Sequence, residues 1–189
     1  MIRATSVTVS GEADGWVPPV GCAAEADPAG STRLVVSVPV ERLQATHEAL
    51  LAVLRPPLGV LWRQVVDRQN PGPQGAPPAD HVALDRSLER VLAATRACAP
   101  LVYGDARAEL WIRGGLGEQI VLDQDGVLYA YPDDPAFRDA LAALDIPEVE
   151  LTTFAQRDYV KHWYHADNDA LVPRLVSLLQ LTHIPHRKG

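Results

Sequence analysis

From residue 34 onward, the apolar positions fall into runs whose spacing predicts the elements. Leu34-Val35-Val36-Ser37-Val38 is a short β-branched run of the kind that forms a buried strand, and Pro39 stops it. Val40, Leu43, His47, Leu50 and Leu54 then recur every three or four residues, which places them on one helical face. Pro56-Pro57 ends that helix, because proline lacks the amide that a further turn needs. Val60 to Val66, with Trp62, reads as a second strand. The result is a β-α-β unit, its strands parallel if they share a sheet.

Residues 69–79 are rich in Pro and Gly and predict a loop. Asp80 is placed to cap a second helix, with Leu84, Leu88, Val91, Leu92 and Thr95 as its apolar stripe and Pro100 at its end. Residues 108–131 predict a β-meander of Glu109–Arg113, Glu118–Leu122 and Val127–Tyr131, joined at Gly114–Gly117 and Asp123–Gly126. Asp134-Pro135 opens a short helix that buries Phe137, Leu141 and Leu144. Val149–Phe154 and Tyr159–His165 are rich in β-formers, and a last helix runs from about Asp169 to Gln180. Before residue 34 only Val7–Ser10 has strand character, so 1–33 is expected to be an irregular N-terminal arm and 34–189 the folded domain. The order β-α-β-α-β-β-β-α-β-β-α predicts a single α+β domain, with a mixed or mostly antiparallel sheet and helices packed chiefly on one face.

Composition narrows the function. With 47% hydrophobic and 22% charged residues in 189, the chain has the makings of one ordinary core. No apolar run approaches the roughly 20 residues of a membrane span, and the first residues lack the apolar stretch of a signal peptide. A cytoplasmic protein without a membrane partner is the expectation. A net charge of -7 repels phosphate backbones and argues against nucleic acid. Arginine outnumbers lysine 15 to 2, a habit of GC-rich bacterial coding. Two cysteines outside any CxxC pair supply neither a disulfide framework nor a zinc site; Cys98 reads as a buried hydrophobe and Cys22 as the more exposed thiol.

Candidate chemistry is sparse. Gly114-Gly-Leu-Gly117 leads into a strand, not into the helix N-terminus that a phosphate loop requires. Asp123-Gln-Asp125-Gly126 lacks the later glutamate of a calcium loop and reads as a hairpin turn. No cofactor is expected. His162, His165 and Asp167 have side chains suited to zinc and make metal-dependent hydrolysis the alternative reading, although a strand would point the two histidines to opposite faces. The leading expectation comes from charge: residues 114–150 carry nine carboxylates against Arg138 alone. That concentration predicts a non-catalytic binding protein, of inhibitor, immunity or adaptor type, that presents acidic residues to a basic protein partner. Asp123 and Asp125 at the hairpin tip, with Asp133 and Asp134 at the helix start, are the expected contact residues, because turns and caps are usually exposed.

Overall fold

The structure, a computed structural model, describes residues 3–26, 30–66 and 79–184. Its principal element is an eight-stranded sheet. In chain order the strands are β2 (Gly21–Ala26), β3 (Thr32–Ser37), β4 (Leu58–Gln64), β5 (Ala79–Arg86), β6 (Ala108–Arg113), β7 (Gln119–Leu122), β8 (Leu128–Tyr131) and β10 (Thr182–Ile184). Across the sheet they lie in the order β10-β5-β4-β6-β7-β8-β3-β2, and each neighbouring pair is antiparallel. The helices are α1 (Val40–Leu51), α2 (Leu88–Ala97), α3 (Ala99–Gly104), α4 (Pro135–Ala142) and α5 (Leu171–Leu179). Two short strands, β1 (Ala4–Ser6) and β9 (Tyr159–Lys161), pair with each other in a small second sheet.

The α+β reading holds, and the β-α-β start takes a particular form. Four antiparallel steps separate β3 from β4, so the two run in the same direction with β8, β7 and β6 between them. The crossover through α1 leaves a gap that the later meander fills. Strand period decides the faces. Leu58, Val60 and Trp62 of β4, Leu110 and Ile112 of β6, and Leu34 and Val36 of β3 share the buried face that the helices cover. On the opposite face Leu61, Trp111, Val121, Tyr129 and Val35 stand in register across five strands. There Arg33 stacks over Tyr129 and Arg63 over Trp111, at 4.4 and 5.6 Å from the ring centres.

Several expectations are corrected. Residues 79–86 form β5, not the first turns of a helix, and Leu84 is 70% exposed. Ser87, not Asp80, caps α2, its side chain accepting the Arg90 amide. Pro100 sits in the first turn of α3, where it has no intrahelical acceptor to miss. The segment expected as an irregular arm supplies β1 and the edge strand β2, in which Cys22 is only 3% exposed. Residues 149–153 are irregular, and regular pairing in 159–165 stops at Lys161. Leu178, an apolar residue of the last predicted helix, is 38% exposed, and Trp62 is fully buried. The Pro/Gly-rich loop predicted at 69–79 lies outside the described residues except for Ala79, which opens β5.

Candidate functional site

The β7–β8 turn is a type that aspartate favours, because a short carboxylate can accept amides two and four residues ahead. Asp123 Oδ1 accepts the amides of Asp125 and Val127 at 2.9 and 2.8 Å, and Oδ2 accepts the Tyr129 hydroxyl at 3.2 Å. The turn is not free in solvent. The β1–β9 sheet lies against it: Lys161 pairs with Asp125 at 2.8 Å, and the Tyr159 hydroxyl donates to Asp125 at 3.2 Å. Burial, reinforced by the Asp125 charge, pushes the Asp123 carboxyl up to about 6. Asp133 is bonded to Arg138 at 2.6 Å, and Asp134 caps α4 through the Ala136 amide. The four carboxylates nominated from sequence are therefore engaged within the fold, and only Asp134 is exposed.

The histidines are separated by their surroundings. His162 Nε2 is bonded to Thr5 Oγ1 at 2.7 Å, tying the residue after β9 to β1. His165 stacks on His162 with ring centres 6.4 Å apart, while Asp167 is exposed in a single 3₁₀ turn. Among the described residues no group of three or more His, Cys, Asp or Glu side chains is placed to hold a metal ion. His162, His165 and Asp167 thus do not assemble as a ligand set. His47 of α1 is fully buried with Nδ1 3.1 Å from the Tyr103 hydroxyl, and burial lowers its pKa to about 3, so it is neutral near pH 7.

A cavity of about 260 Å³ lies where the β1–β9 sheet meets the end of β3 and the start of α1. Val38, Leu43, Val127, Trp16 and Phe154 form much of its apolar wall. Trp16 and Phe154 meet edge to face with centroids 5.0 Å apart, and Arg157 stacks on Trp16 while pairing with Asp14 at 2.6 Å. These contacts fix the irregular 14–18 segment, of which Trp16, Val17 and Pro18 line the cavity. Arg3, Thr5 and Asp125 contribute polar groups to the lining, and Glu41 lies exposed at its edge. Burial lowers the Arg3 guanidinium to about 10, still charged near pH 7, against the opposing pull of Asp123, Asp105 and Asp125.

Neither Arg3 nor the cavity was signalled by spacing. The lining comes from residues 3–5, 16–18, 37–41, 43, 103, 125–127 and 153–154, which only the tertiary fold brings together. Comparison with family models, with curated proteins and with solved structures returns no match.

Proposed function

We propose that the chain is a non-catalytic binding protein whose site is the cavity beside Trp16, Val17 and Pro18, sized for a small and mainly apolar molecule. One observation carries this reading: an apolar concavity with a few polar groups in its lining, the usual make-up of a small-molecule site. At about 260 Å³ it is smaller than the roughly 300–1,000 Å³ of drug-sized pockets. It exceeds the ~150 Å³ that suffices for benzene, so a single substituted ring is a suitable occupant. Benzyl alcohol is a direct probe. It is expected to give saturable NMR shifts at the Trp16 indole and the Val127 amide, and Val127→Phe, which fills the space, is expected to abolish them. Absence of saturable shifts, or shifts indifferent to the filling variant, overturns the reading.

A second reading retains the basic protein partner, relocated. Asp134, Asp139, Asp145 and Glu150 are exposed on α4 and the chain that follows it, and Arg138 between them is already bonded to Asp133 and Glu148. If this face steers a cationic partner, reversing Asp134, Asp139 and Asp145 to lysine slows association with it, as does added salt. An on-rate unmoved by either leaves these carboxylates as a solvated face.

A further inference from the structure

The cavity has a cation in its wall. Arg3 is 3% exposed, and its terminal nitrogens donate only to main-chain carbonyls, those of Val102, Ala108 and Asp123. Its Nε has no hydrogen-bond partner. Among the described residues Arg3 forms no ion pair; the aspartates that favour its charge act from beyond contact. A buried charge is ordinarily paired in contact, because desolvating it alone is costly, so the unpartnered Nε leaves Arg3 one acceptor short. The neighbouring carboxylate is already held, since Asp125 is paired with Lys161 at 2.8 Å and accepts from the Tyr159 hydroxyl through Oδ2, although its Oδ1 accepts no hydrogen bond.

We infer that the cavity takes a small organic carboxylate, its anionic group beside Arg3 and its apolar body against Leu43, Val38 and the Trp16–Phe154 pair. The inference rests on the cavity reading and adds the chemical class of the occupant. Charge selects it. A carboxylate gains a buried counter-ion in Arg3 and can accept from Nε, whereas an ammonium group of the same shape faces a guanidinium at close range. Lys161, already committed to Asp125, keeps that aspartate from cancelling the attraction.

The test uses three probes with one ring and different heads: phenylacetate, phenylacetamide and phenethylamine, titrated into the labelled full chain and followed at the Trp16 indole, the Thr5 amide and the Val127 amide. Phenylacetate is expected to bind at least ten-fold more tightly than the amide, with the amine weakest. In Arg3→Met the acid and the amide are expected to become equal. Because Arg3 also holds three carbonyls, that variant can fail to fold; the ranking measured on the unaltered chain then decides. Equal binding of acid and amide, or tightest binding of the amine, overturns the carboxylate assignment and leaves the cavity standing. Absence of binding by all three removes the cavity reading together with it.

Discussion

The Asp123 carboxylate accepts three hydrogen bonds and still holds its proton more tightly than an ordinary aspartate, because burial and the charge of Asp125 outweigh what the amides and Arg3 supply. Its folded pKa of about 6 lies above the usual 3.8. Between those values the folded state binds a proton that the unfolded state has released. Stability from this site is therefore present at low pH and lost as pH rises through that window. Asparagine keeps the acceptor for both turn amides and removes the charge. Asp123→Asn is expected to stabilise the fold at pH 7.5, by an amount on the order of 1–3 kcal/mol for a shift of this size. The gain should vanish near pH 4. His47, with its lowered pKa, acts in the opposite sense, but it is common to both proteins and drops out of their difference. Thermal unfolding of the two at both pH values checks this; an Asn variant less stable than the parent at pH 7.5 would mean that the carboxylate's charge is needed in the turn.

At the scale of elements, the segment 79–97 shows how two periods can overlap. Leu84, Leu88, Val91, Leu92 and Thr95 fit a helix that begins at Asp80, but β4 and β10 pair with 79–86 from both sides and satisfy its backbone along the sheet. Asp80 then faces Arg63 on the next strand at 3.0 Å, and the strand bulges at Asp85, whose φ of 59° accompanies the shift of register between Leu58 and Val60. Ser87 starts the helix instead. Ser87→Ala is expected to cost about 1 kcal/mol in urea denaturation, the usual loss of a cap. A loss under a few tenths would show that the α2 terminus does not depend on it. The elements legible in the sequence are those whose own turns and caps define them: the meander, with its glycine turns, and α4, with Asp134 before Pro135. Those that stayed hidden are defined by partners. Among them, β10 has three residues, and β2 has an Ala-rich sequence that pairs only because β3 offers an edge. The cavity is illegible for the same reason, since Arg3 becomes remarkable only once carbonyls from residues 102, 108 and 123 surround it.

Across the whole molecule, residues 149–170 contain one three-residue strand and two 3₁₀ turns, and their attachment depends on polar anchors more than on regular pairing. The strongest anchor is buried. Arg107, 3% exposed, grips the fully buried Asp105 in a two-pronged pair at 3.0 and 2.8 Å and reaches Asp169 at 2.9 Å. Asp105 also accepts the His165 amide at 3.1 Å and the Asn168 side chain at 3.3 Å, so the network closes over residues 165–169. Breaking a buried pair leaves the other charge desolvated, which typically costs 3–5 kcal/mol, whereas replacing both partners with apolar groups of similar volume is often close to neutral. Asp105→Ala is therefore expected to lose about 3–5 kcal/mol in chemical denaturation. The double variant Asp105→Leu with Arg107→Met is expected to lose less than Asp105→Ala alone, because no charge is stranded. Native-state hydrogen exchange should place the weakening of Asp105→Ala first at the His165 and Asn168 amides, and from there at His162, whose amide bonds the Arg3 carbonyl at 2.7 Å. Through that last bond the network reaches β1, so the same variant should loosen the segment that carries Arg3. Uniform loss of protection over the whole chain, or a single variant no less stable than the double, would show that the C-terminal segment is held by packing and not by this network.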